Sequence, residues 1–161
     1  MEKTPVGVNP HGLTQFINNL GRDCLPDQFL REFVKNSVEA IQKTKEKKGT
    51  IVVDANWVNW HFSDKKYLKI SFTDNGTGMS PEQMEKLVSQ LASSGDVKSE
   101  HINYGVGAKI SALSRNPAGL QYESWQNGKG FMVLIYYDPT LGTYCMERFK
   151  NEEGKYLNYL E

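Results

Sequence analysis

A chain of 161 residues with 24% charged side chains and a formal net charge of zero is long enough for one domain with its own core and short for two. Balanced charge excludes a chain-wide attraction to nucleic acid or to an acidic membrane, so any such partner would need a local patch. The longest apolar run, Phe131 to Tyr137, falls short of the ~18 residues of a membrane span. Two distant cysteines, Cys24 and Cys145, and no charged-then-apolar opening read as a reduced, cytoplasmic setting. His11, His61 and His101 form no metal-ligand spacing with those cysteines.

Residues 1 to 25 carry turn-formers at Pro5, Gly7, Pro10 and Gly12, with a short apolar pattern from Leu13 to Leu20 that reads as two helical turns. From Pro26 to about Lys45 the helix signal is strong, with Pro26 at the opening and Asp27 in the first turn. Phe29, Leu30, Phe33, Val34, Ser37, Val38, Ala40 and Ile41 fall in one arc, the expected core face. Glu32 and Asn36, one turn apart, lie at the margin of that arc, where a polar pair is placed to line a pocket. The basic run Lys43 to Lys48 suits a solvated helix end.

After Gly49, Ile51, Val53, Ala55 and Trp57 alternate as a strand, and the apolar phase then moves to Val58, Trp60 and Phe62, the mark of a bulge or of a strand buried on both faces. Ser63 to Lys66 turns the chain into a second strand, Tyr67 to Thr73, whose end delivers Asp74-Asn75-Gly76-Thr77-Gly78-Met79. Asn75-Gly76 alone is the commonest hairpin-turn dipeptide. Two glycines behind a carboxylate at a strand end equally permit close approach of a ligand to the backbone. Ser80, Pro81 and Gln83 then make an N-cap, first position and capping box for a helix with Met84, Leu87, Val88 and Leu91 on its apolar stripe. Residues 93 to 104 read as a mobile loop. It ends in Tyr104-Gly105-Val106-Gly107-Ala108-Lys109, which opens a short helix through Ile110 and Leu113. Three strands follow, Leu120 to Trp125, Phe131 to Tyr137 and Thr143 to Phe149, with turns at Asn127-Gly128 and Asp138-Pro139. Trp57, Trp60 and Trp125 can be read as a partner surface, but the expectation is that they pack the open face of the sheet.

Three elements converge chemically. An amide oxygen at Asn36 is a hard ligand suited to Mg²⁺, and a carboxylate at Glu32 can orient or deprotonate a water. Asp74 can accept hydrogen bonds from an exocyclic amine while its glycines admit a flat base and Met79 forms an adaptable apolar wall. Gly105-Val106-Gly107 at a helix start presents backbone N–H groups as an anion cradle, with Lys109 close behind.

In order and spacing these segments resemble the GHKL superfamily of ATP-binding domains (the Bergerat fold), which includes gyrase B, heat-shock chaperones, histidine kinases, MutL and the MORC proteins. Residues 32 to 40 look like its N-box, Asp74 to Met79 like its first glycine box and Tyr104 to Lys109 like its second, a likeness spanning about Leu30 to Tyr137. The resemblance implies an α+β fold, a two-layer α/β sandwich with helices on one face of a mixed, largely antiparallel sheet. The domain is expected over residues 26–161 after an N-terminal segment 1–25, with no clear counterpart to the family's last strand or transducer domain. It also implies Mg²⁺-dependent ATP binding and slow hydrolysis, a nucleotide-driven conformational and dimerisation switch, and ATP or ADP as ligand. Neither a membrane nor nucleic acid is indicated as a partner.

Roles carry over residue by residue. Glu32 would be the general base, Asn36 the Mg²⁺ ligand and Ala40 a small residue beside the base, with Glu39 where an aspartate is usual. Asp74 would bind the adenine amino group, with Gly76, Gly78 and Met79 around the base. Residues 93 to 104 would belong to a short ATP lid, and Gly105, Val106, Gly107, Ala108 and Lys109 would hold phosphates. The threonine that helps bind adenine has one weak counterpart, Thr143. Two other readings stand beside this one: a histidine or serine kinase ATP-binding domain, against which Glu32 speaks, and a non-hydrolysing nucleotide-binding or interaction module.

Overall fold

A computed structural model describes residues 2–5, 10–45, 48–60, 63–89, 106–116 and 118–158. Helix α1 (Pro10–Asp23) runs 14 residues, longer than the two turns expected, and it buries Ile17 in the core with Cys24 packed beside it. Helix α2 (Gln28–Gln42) carries the N-box-like segment. Strands β2 (Ile51–Trp60) and β3 (Ser63–Asp74) form the anticipated hairpin, and its register shifts at Asn59/Trp60, where the apolar phase changes.

Helix α3 (Pro81–Ser89) starts at a complete capping box. The Ser80 amide donates to Gln83 Oε1 at 2.8 Å, and the Gln83 amide donates to Ser80 Oγ at 3.3 Å. Two orphan N–H groups of the first turn are thereby satisfied. The Ser80 hydroxyl also donates to Glu82 at 2.8 Å, and that bond, ahead of a backbone bond, holds the Glu82 carboxyl below its ordinary pKa. Helix α4 (Val106–Leu113) follows, then β4 (Leu120–Gln126), β5 (Lys129–Asp138) and β6 (Thr143–Arg148). Asn127 and Gly128 both take positive φ, 54° and 74°, the tight hairpin geometry their sequence asks for.

A short N-terminal strand, β1 (Glu2–Pro5), was not legible among the turn-formers. It pairs along β6, opposite residues Cys145 to Arg148. The α+β class holds, with every described strand pair antiparallel and the strands divided into two sheets, β1-β6-β5-β4 and β2-β3. Short hairpin connections explain the antiparallel sense of the β2-β3, β4-β5 and β5-β6 pairs.

Ile17, Met84, Val88 and Leu113 from the helices pack on Val133, Ile135, Tyr144 and Met146 of the larger sheet, and this is the main core. Glu85 of α3 adds an ion pair to Arg148 of β6. The opposite face of that sheet buries Met132, Leu134, Tyr136 and Cys145. Helix α2 connects the two sheets. Its Phe33 ring stacks on Phe72 of β3 at 5.3 Å and leans on Tyr122 of β4 at 6.4 Å. Burial raises the Tyr122 phenol's pKa well above its ordinary value.

Candidate functional site

Alternation along α2 sets two kinds of residue against each other. Phe33, Ser37 and Ala40 turn inward, while Glu32 and Asn36, one turn apart, stay half-buried on the rim. Both are hard oxygen donors on one helical flank, which is the chemistry a magnesium–phosphate group requires.

The loop after β3 is fastened at three points. To the residue just before β2, Asn75 is bound twice: the Thr50 amide donates to Asn75 Oδ1 at 2.7 Å, and the Asn75 amide donates to the Thr50 carbonyl at 3.3 Å. To α2, the Thr77 amide donates to the Ala40 carbonyl at 3.3 Å. To β4, the Met79 amide donates to Ser124 Oγ at 2.7 Å. Asp74, exposed at the strand end, accepts from the Gly76 amide at 2.9 Å, which holds its carboxylate over the turn.

The glycines are required by neighbours. A Cβ on Gly76 would lie 2.6 Å from Ala40 Cβ and 2.7 Å from the Ala40 carbonyl carbon, so the loop can touch α2 only because both residues are small. Gly78 has φ +66°, and a Cβ there would lie 2.3 Å from the Trp125 carbonyl oxygen. These contacts bring the Asp74 loop to the same helix that carries Glu32 and Asn36. Helix α4, opened by Val106, Gly107 and Ala108, also packs along α2. Tyr104 and Gly105, with the rest of the expected lid, lie outside the described residues.

Two of the candidate residues are buried. Lys109 was expected to reach phosphate; it is instead fully buried, and its ammonium donates to the Leu87 carbonyl near the end of α3. The fourth position of α4 turns inward, toward the helix layer. Thr143, considered for adenine, is 2% exposed and pairs with Asp138. Strand alternation puts it with Cys145 and Glu147 on the sheet face away from the helices, whereas Tyr144 and Met146 face the helix layer where Met79 packs. Ser124 went unnoticed in the sequence. Its signal was a lone polar residue in phase with the inward Leu120 and Tyr122.

Burial lowers the Lys109 pKa from 10.5 to about 8. Between those values the unfolded chain binds more protons than the folded one, so stability rises with pH across that window, and below pH ~8 the full penalty is present. The penalty is at most ~3 kcal/mol, since the bond to Leu87 offsets part of it. Lys109→Met is therefore expected to exceed the wild type in stability near neutral pH, with the gap closing toward pH ~10. Urea melts of both proteins across that range measure it, and a pH-independent gap would contradict the assignment.

Comparison with known proteins covers the same segments. The chain is similar to the chaperone protein HtpG of Alkaliphilus metalliredigens (strain QYMF), at 26% identity over 160 residues, covering 83% of this chain and 26% of that protein. It thus spans about a quarter of that relative's length. No solved structure matches it. The profile of the histidine kinase-, DNA gyrase B- and HSP90-like ATPases matches residues 25–139, a stretch that contains α2, the Asp74 loop and α4, and the chain belongs to that family of ATP-binding domains.

Proposed function

We propose that this domain binds Mg-ATP between α2, the Asp74 loop and the start of α4, and hydrolyses it slowly, with the nucleotide acting as a conformational and dimerisation switch. The observation that carries the reading is the seating of the Gly76 turn directly on Ala40, which brings Asp74 to the helix bearing Glu32 and Asn36.

In this reading Asp74 accepts from the adenine amino group, with Met79 as apolar wall. Adenine recognition then rests on Asp74 and ordered water, since Thr143 is on the far face of the sheet. Backbone N–H groups at the α4 start, from Gly105 to Ala108, take phosphate oxygens, and Lys109 positions α4 against α3 without touching the ligand. Mg²⁺ held by the Asn36 amide oxygen would neutralise phosphate charge. Glu32 orients an attacking water and accepts its proton. Homodimerisation, a cytoplasmic setting and kinship of role with chaperone-type or MORC-type members complete the reading.

Calorimetric titration with a non-hydrolysable ATP analogue tests it. Wild type is expected to bind more tightly with Mg²⁺ than without. Asn36→Ala is expected to lose that Mg²⁺-dependent gain, about tenfold or more in affinity, as removal of a hard ligand predicts. Binding of neither ATP analogue nor ADP would leave only an interaction module. A kinase reading has less support, because Glu32 occupies the rim one turn before Asn36.

A further inference from the structure

The hairpin β2-β3 is longer than the helix that covers it. Its register pairs Val53 with Phe72, Ala55 with Ile70 and Trp57 with Leu68, so these side chains share one face. Phe33 of α2 covers Phe72. Beyond that contact the face is bare: Trp57 is 69% exposed, Val53 56%, Leu68 47% and Ile70 40%. Trp57 therefore does not pack a sheet face, as the sequence suggested, because α2 ends its cover at Phe72.

A wall flanks this floor. Val34 and Val38, each 38% exposed, lie on the same helical stripe as Ile41. Ile41 itself packs at the foot of β2, where a Cβ on Gly49 would lie 2.2 Å from its Cγ2. Floor and wall make an apolar groove, and a contiguous patch of this kind marks an interaction surface on a soluble domain. From Val53 to Trp57 the floor runs about 13 Å at the strand rise, room for between two and three helical turns.

The border of the groove is basic. Arg31 and Lys35 follow the valines around α2, Lys45 and Lys48 stand where α2 gives way to β2, and Lys66 extends the hairpin face, all exposed. Among the described side chains of these elements, Glu32 and Glu39 lie on the opposite flank of α2 and Asp54 on the other hairpin face, while Asp27 at the helix start and Asp74 at the end of β3 lie on the groove's side, two acids against the five bases. The chain as a whole is neutral, so this is a local field that selects an occupant. A second copy docked face to face would set one basic border against another.

We infer that this groove docks an acidic amphipathic helix of a partner protein, apolar on one face and bordered by glutamate or aspartate. The test titrates a labelled synthetic helix of about five turns, leucines on one face and glutamates at its borders, into the full chain, read by fluorescence anisotropy. A Kd on the order of 10 μM is expected, weakening with salt. The same helix with lysine borders is expected to bind at least ~10-fold more weakly, and Lys66→Glu with Arg31→Glu to reverse that preference. Leu68→Asp is expected to abolish binding while the melting temperature is unchanged, as suits an exposed position. Equal binding of both helices, or none at ~1 mM, would overturn the inference. So would a self-associated dimer in sedimentation that Leu68→Asp breaks, since that makes a second copy the occupant.

Discussion

Replacing Glu32 by alanine is expected to lower ATP turnover by at least ~10²-fold while nucleotide affinity stays within about threefold, because a positioned general base contributes that much to the transition state and little to ground-state binding. The half-buried carboxylate sits one turn before Asn36 on α2. Glu32→Gln is the sharper variant. It keeps size and hydrogen bonding and loses only proton acceptance, so turnover should fall about as far as in the alanine variant. Steady-state phosphate release measures the rate, and calorimetry with a non-hydrolysable analogue measures affinity. Turnover equal to wild type would remove Glu32 from the mechanism. A parallel loss of binding would instead make it a ligand-holding residue.

The second large effect concerns Gly78. With φ at +66° and a prospective Cβ 2.3 Å from the Trp125 carbonyl oxygen, alanine there meets two separate obstacles. The left-handed backbone costs an L-residue roughly 1 to 2 kcal/mol, and backbone meeting backbone cannot be relieved by a rotamer change. About 3 kcal/mol or more of destabilisation follows, with a melting-temperature drop of roughly 6 to 12 °C for a domain of this size. The Met79–Ser124 hydrogen bond next to it would be lost with the contact. Gly128→Ala separates the two causes. Gly128 has φ +74° but nothing within 4 Å of its Cβ position, so it should show the conformational cost alone, about 1 kcal/mol. Thermal melts of the two variants decide the matter, and equal losses would mean that the Trp125 approach is not tight. Gly76→Ala complements them. Its clash is with Ala40, so it should push the Asp74 loop off α2 and weaken nucleotide binding in excess of its effect on stability.

Likeness to a much longer chaperone and membership of the ATPase family bear on the same segment. The matched stretch 25–139 stops before the start of β6, the strand that lies between β5 and β1. What that strand adds is cover for the main core through Tyr144 and Met146, and an anchor for α3 through Arg148. Both sit on the helix face, so β6 supports the site from behind.

Local chemistry made much of this legible beforehand. The capping box at Ser80–Gln83, the turn at Asn127-Gly128, the hairpin and the bulge at its tip are all written in residues within a few positions of one another. The N-box-like pair could be read because helical periodicity alone sets Glu32 beside Asn36. The strand β1 could not, since four residues next to turn-formers carry no period, and only an open edge on β6 makes them a strand.

By itself, then, the sequence determined all the described elements but β1, their caps and turns, the Asp74 glycine loop and the family to which they belong, because each depends on neighbours in the chain. Tertiary structure decided what those residues face. It turned Lys109 into the helix layer, put Thr143 on the far side of the sheet through register parity, and left Trp57 bare where α2 runs out. It also supplied the Ala40 and Trp125 backbones against which Gly76 and Gly78 must be glycine. Those outcomes depend on which surfaces meet across tens of residues, and no pattern within a single element encodes them.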